Sequence, residues 1–201
     1  MTQQKEITKK SSVEVDSGGN HGLSSKAFLA KQLEETAQII NWAINLVPKE
    51  RLLEIPPHST HPKASDYMKS YFGLWSAYRI LFHLVHYEEN SALPNMKLWL
   101  GEQPNRQRCG KEKEDWEEEL RKGPNLEALL ERFHSVRKQQ TEVINKIQDN
   151  QWQEKRPNTN WGTVSVEFIV TKSIQHTLEH GNKILRNVLF WDGYLRQLNK
   201  K

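Results

Sequence analysis

Four stretches of this chain repeat apolar residues at spacings of three and four, the signature of helices with one buried face. The first follows Ser24–Ser25 and carries Phe28, Leu29, Leu33, Ala37, Ile40, Ala43, Ile44 and Val47 before Pro48. The second is predicted from Ser65 to about Ala92, stopped by Pro94, and its middle, Tyr71 to Tyr87, is apolar around most of its circumference. Such a helix needs neighbours on several sides. The third follows Pro124-Asn125 with Leu126, Leu129, Leu130, Phe133, Val136, Val143, Ile144 and Ile147. The fourth takes Ser165 as its N-cap and Glu167 in its first turn, and is predicted to reach about Phe190. No strand alternation is visible, so the expected architecture is an all-α bundle.

The remaining segments fit around those rods. Residues 1–23 are polar and aperiodic, with Gly18-Gly19, and read as a disordered arm. Residues 24–192 form the expected folded domain, and 193–201 a basic C-terminal tail. Asn95–Leu100 suggests a short helix ending at Gly101, and 149–162 a loop. Residues 102–123 are dense in charge, with a helix from Glu114 to Lys122, and read as a solvated connector.

Composition then excludes several classes. A chain of 201 residues is long enough to bury a core without metal or disulfide. The single cysteine, Cys109, excludes an internal disulfide framework and a cysteine-rich zinc site. No apolar run is long enough to span a membrane and no secretory signal stands at the N-terminus, so the expected location is the cytoplasm. The net charge of +4 is concentrated at one end: residues 155–201 hold eight Lys or Arg against three Asp or Glu. That is no basic stripe of the kind that binds nucleic acid, and neither a nucleic-acid nor a membrane partner is expected.

The chemistry-bearing residues lie in the second and fourth helices. His176 and His180 are four apart, on one helix face, in register with Ile169, Ser173 and Ile184. They occupy seam positions where a bundle normally places Leu or Ile, so both imidazoles should point inward. His83 lies among Ile80, Leu81, Phe82, Leu84 and Val85 on the second helix. Three such nitrogens suffice for a divalent ion such as zinc, with a coordination position left for water or substrate. The alternative is three hydrogen-bonded core histidines. His86 stands as a further ligand or as a partner to one. His58 and His61, in a Pro-rich loop, read as surface residues, as do His134 and, in the arm, His21.

At these residues the sequence resembles the DinB-like, or YfiT-like, superfamily. One motif is Trp75-Ser76 followed by His83-Leu84; the other is Val164-Ser165-Val166-Glu167 followed by His176 and His180. The likeness runs from about Phe28 to Leu189. It implies a four-helix bundle with a long crossover and a divalent metal on His83, His176 and His180. Zinc and nickel lead the implied metals, with manganese and iron behind them. Several members form dimers, so the resemblance allows a homodimer. Characterised members include thiol transferases, which move bacillithiol or mycothiol onto electrophiles, and also hydrolases and isomerases. The implied partner is a small-molecule substrate, a low-molecular-weight thiol among the candidates.

A three-histidine cation can lower the pKa of a bound water or present a thiol as thiolate. No HExxH glutamate accompanies the pair: Glu179, one residue before His180, points about 100° away from it. A general base must come from elsewhere, with His86 and Glu88 as candidates. Arg79, one turn before His83, is placed to hold an anionic substrate group or to pair with a carboxylate, and Trp75, Tyr78 and Trp161 are candidates to line a pocket or to pack the core. Two functional readings follow: a metal-dependent enzyme of thiol transfer or hydrolysis, or a non-catalytic, stress-related dimeric bundle whose metal is structural and closed by His86.

Overall fold

Short polar side chains start the long helices by capping their free N–H groups. Ser25 Oγ accepts from Phe28 N at 3.2 Å, Ser76 Oγ from Arg79 N at 3.2 Å, Asn125 Oδ1 from Ala128 N at 3.0 Å, and Ser165 Oγ from Phe168 N at 3.2 Å. The structure, a computed structural model, describes residues 25–103, 108–158 and 161–200. The expected arm at 1–23, with His21, lies outside them.

The chain is helical, with one small hairpin. Its helices are α1 (Lys26–Asn45), α2 (Pro57–Thr60), α3 (Asp66–Phe72), α4 (Ala77–Tyr87), α5 (Leu93–Met96), α6 (Glu112–Lys122), α7 (Leu126–Lys146) and α8 (Val166–Leu198). Helix α1 packs on α7 and α8, and α4 packs on the same two. The core between them is made of fully buried Leu33, Ile40 and Ile44 from α1, Leu81, Leu84 and Val85 from α4, Phe133 and Ile144 from α7, and Ile169 and Ile184 from α8. Gly181 allows the close approach of α8 to α1, since a Cβ there would lie 3.0 Å from Ile40 Cδ1.

Several expectations are corrected. The second rod is not continuous from Ser65 to Ala92: it breaks at Gly73, whose φ of +77° suits glycine, and restarts at the Ser76 cap. Pro94 does not stop it either. A π-turn over Glu88–Ala92 carries the chain into α5, where Pro94 sits in the first turn and its missing N–H costs least. Two strands, β1 (Lys155–Asn158) and β2 (Gly162–Ser165), form an antiparallel hairpin in register from Lys155↔Ser165 to Asn158↔Gly162. They are short, lack apolar alternation and contain Pro157, so they carry no strand signal. Side-chain bonds to backbone dock the hairpin: Arg156 Nη1 donates to Leu98 O at 2.6 Å, and Trp99 Nε1 to Glu154 O at 3.1 Å. Helix α8 continues past Phe190 to Leu198.

Of the connector, residues 102–103 and 108–111 are exposed as expected, but its helix is not solvated on every side. Helix α6 lies on α4 and starts at Glu112 rather than Glu114. Tyr78 on α4 donates its hydroxyl to Glu119 Oε1 at 2.6 Å and accepts from Asn125 N at 2.9 Å. Among the described residues no helix is long and apolar enough to cross a membrane.

Candidate metal centre

Seam spacing on α8 and the inner face of α4 bring three imidazoles together. His83, His176 and His180 each offer a ring nitrogen, and these atoms all lie within 4.8 Å of one another. His83 Nε2 is 3.1 Å from His176 Nε2. Two ligands sharing a tetrahedral zinc at 2.0–2.1 Å stand about 3.3–3.4 Å apart, so this pair is close to ligating separation as it is. The rings are packed edge to face, with centroids 4.7 to 5.0 Å apart.

The environment keeps two of these rings neutral. Burial, followed by the neighbouring His180 and His83, lowers the pKa of His176 to about 3. Burial and then His83 lower that of His180 to about 4. A neutral imidazole keeps a lone pair for a metal. The Nδ1 atoms of both rings are buried without a hydrogen-bond partner. Three imidazole nitrogens brought together in this way are a donor set that suits a divalent cation.

His83 is oriented by a residue that sequence reading missed. Its Nδ1 lies 2.9 and 3.0 Å from the two oxygens of Glu112 on α6. A carboxylate only accepts, so the hydrogen bonding places a proton on Nδ1 and makes Nε2 the nitrogen that faces His176. Arg79 Nη2 closes on Glu112 Oε1 at 2.6 Å. Burial acts to raise the Glu112 pKa, but the hydrogen bond from His83 and then the Arg79 guanidinium outweigh it and hold the carboxyl at about 2. A signal for this was present. Glu112, Asp115, Trp116 and Glu119 share one helix face at i, i+3, i+4 and i+7, and every one of them engages α4.

The other candidates fall in different places. Arg79 is committed to Glu112 and lies over the rings of Trp75, Phe82 and Trp116. His86 Nε2 is 3.0 Å from Asp115 Oδ2, which also pairs with Arg108, and His86 is not one of the three clustered rings. Glu88 is fully buried in the core, where Arg137 Nη2 at 3.1 Å, Gln140 Nε2 at 2.6 Å and Ser173 Oγ at 3.0 Å all donate to it. Glu179 is exposed and bonded to Gln175.

Of the aromatic candidates, Trp75 lines the site, with its ring 4.9 Å from His83 and 6.1 Å from His180. Tyr78 serves α6 instead, and Trp161 packs on Tyr87 and Phe168. Tyr87, not singled out from sequence, sets its ring edge-on 4.4 Å from His176. His58 is buried rather than exposed, edge-on to Phe72 at 3.9 Å, because it lies in α2, which packs against α3 and α8. His61 is partly buried, and His134 is exposed as expected.

His83 stands between two cavities. One, of about 210 Å³, is shared with Trp75, His180 and Lys183. The other, of about 140 Å³, is shared with Tyr87, Cys109 and Glu112. The clustered nitrogens are therefore approachable from outside.

A family model described as the DinB superfamily matches residues 32–184, about three quarters of the chain, with all three histidines inside. No curated protein and no solved structure matches the chain.

Proposed function

The chain belongs to the DinB superfamily, and from that premise we propose that it is a metal-dependent enzyme whose His83, His176 and His180 together hold one divalent cation, zinc or nickel. The observation that carries this reading is the convergence of three ring nitrogens within 4.8 Å, beside a cavity that admits a small molecule. When bound, such a cation lowers the pKa of a water or thiol that reaches it.

The protein's own residues supply the rest. Glu112 holds the Nδ1 proton of His83, which fixes that ring's tautomer and orientation. Trp75 and Tyr87 cover the histidines from two sides and limit access of bulk water. The neighbouring carboxylates are both committed, Glu112 to Arg79 and His83, and Glu88 to Arg137. That favours a nucleophile that asks little of a base. A thiol, with an ordinary pKa near 8.5, asks far less than water, so transfer of a low-molecular-weight thiol to an electrophilic carbon is the leading reaction and hydrolysis the second.

The test is metal content. Untagged full-length protein is purified and its metals measured, alongside His83→Ala and His176→Ala. About one divalent ion per chain is expected in the parent and a clear loss in each variant. A parent that takes up no stoichiometric zinc or nickel, or variants that retain it, overturns the ligand set. Turnover is then assayed with bacillithiol, mycothiol and glutathione against a chlorinated or epoxide electrophile; no product with any thiol transfers the proposal to hydrolysis.

A further inference from the structure

The larger cavity beside His83 and His180 has a definite chemical character. Its wall is apolar: Phe72 and Ile80 are each 1% exposed, Leu74 is half open, and the Trp75 ring lies within 8° of parallel to His180. Its volume, about 210 Å³, is below the roughly 300–1,000 Å³ of drug-sized sites, so it suits a molecule the size of one substituted ring. Among the described residues Lys183 is the one lysine or arginine that lines it.

Lys183 is only loosely engaged, whereas the neighbouring arginines are turned to other partners. Its ammonium faces Glu179 at 3.7 Å, on a helix surface where the carboxylate is half exposed. A loose i,i+4 pair of this kind is worth little and yields readily to a better anion. Arg79 is turned to Glu112 at 2.6 Å and to three aromatic rings, and although its buried Nη1 has no hydrogen-bond partner it does not line the cavity. Arg186 donates to Tyr71 O at 3.3 Å and covers the Tyr71 ring at 4.2 Å. Lys183 is also three residues beyond His180, so it stands about one turn along the same helix from the clustered nitrogens.

We infer that this cavity binds a small organic anion with an apolar, ring-sized body, the acid group paired with Lys183 and the body laid against Trp75. Lys183, rather than Arg79, is then the residue that selects for charge in the substrate. The inference deepens the reading of the histidines as a metal centre and rests on it for where the reaction occurs; the pairing with Lys183 is tested independently of it.

The experiment is a ligand-observed NMR titration of full-length protein with benzoate and with its neutral analogue benzamide, at low ionic strength. Lys183→Gln and Lys183→Arg are run in parallel, with metal content and a melting curve recorded on every sample. Benzoate is expected to bind the parent about tenfold more tightly than benzamide, the scale of one charge-assisted hydrogen bond at a partly exposed site. Lys183→Gln abolishes that preference, Lys183→Arg retains it, and neither changes the melting curve. Equal affinities in the parent, no binding of either probe, or a preference that survives Lys183→Gln overturns the inference. A preference lost on chelation but not in Lys183→Gln overturns it as well, because the ion would then be reading the acid group. The two readings separate cleanly. Failure of the metal centre appears as absent metal with the Lys183-dependent preference intact, and failure of this inference as bound metal with affinities indifferent to Lys183.

Discussion

Glu112→Gln keeps the size of the side chain and removes only its charge, so it isolates what the carboxylate does for His83. The Glu112 carboxyl falls from an ordinary 4.5 to about 2. At 1.36 kcal/mol for each pH unit, that is a ceiling of about 3.4 kcal/mol of preference for the ionised form. Arg79 claims part of it, and the side chain is 26% exposed, so water screens some of the remainder. About 1–2 kcal/mol is left for the contact with His83, which corresponds to a five- to thirtyfold loss of metal affinity when the charge is removed. That agrees with the usual cost of losing the carboxylate behind a ligating histidine. The measurement is competition for zinc or nickel against a chromophoric chelator near neutral pH, with Glu117→Gln on the exposed face of the same helix as control. Affinity in Glu112→Gln equal to that of the parent would refute the claim that α6 orients His83. Because the folded pKa is depressed, the stabilising share of Glu112 is complete above 4.5 and is lost as the pH falls from there through about 2.

The histidines give a second pH effect. Both folded pKa values, about 3 and about 4, lie below the ordinary 6.5, so the unfolded chain takes up protons first and stability is full above 6.5 and lost on acidification from there towards 4 and 3. In chelator-treated protein, urea denaturation between pH 6.5 and 4 should show a loss of about 1–2 kcal/mol per pH unit, reduced in His176→Leu; a flat profile speaks against buried neutral rings. Arg137→Met leaves Glu88 as an unpaired charge in the core and is expected to cost about 3–5 kcal/mol in urea denaturation. A cost near zero would refute the claim that Glu88 depends on Arg137 as its counter-charge. Gly73→Ala meets no atom within 4 Å, so its expected cost of about 1–3 kcal/mol is purely that of a side chain at φ +77°, read as a lower melting temperature. An unchanged melting temperature would show that the α3–α4 joint relaxes.

How much of this was legible in the sequence depends on the range over which each residue acts. The His176–His180 pair and its inward orientation follow from helical periodicity alone, a local property, and the caps at Ser165 and Asn125 are equally local. The break at Gly73 was hidden because the apolar positions of α3 and α4 keep a helical spacing across it, and one glycine inside such a run does not by itself mark the end of a helix. The connector misled for a different reason. Its eleven-residue helix carries no buried residue, so composition alone marks it as solvated, yet one of its faces meets Arg79, His83 and His86 through charge rather than through apolar area. Hydrophobic patterning does not register an interface of that kind. Charge patterning does, once acids at 112, 115 and 119 are set against the basic face of α4.

The same logic explains why the core beneath the histidines is polar. Ser173 and Thr177 flank His176 on α8, and both turn to the Glu88–Arg137 pair: Ser173 Oγ donates to Glu88 at 3.0 Å, and Arg137 Nη2 donates to Thr177 Oγ1. Glu88 directly follows Tyr87, whose ring rests on His176. One turn of α4 thus touches the cluster with one residue and anchors the buried ion pair with the next, immediately where the π-turn begins. A pair buried this deeply costs several kcal/mol in desolvation that apolar residues would not incur, and it adds little net stability. What it does fix is the register of α4 and α7 against α8, because Glu88 has its donors at one relative position of the three helices. A slide of α8 by one turn, about 5.4 Å, would carry His176 away from His83 and would also strip Glu88 of Ser173. The geometry of the three rings and the donors of the buried carboxylate therefore depend on the same register of α8 against α4 and α7.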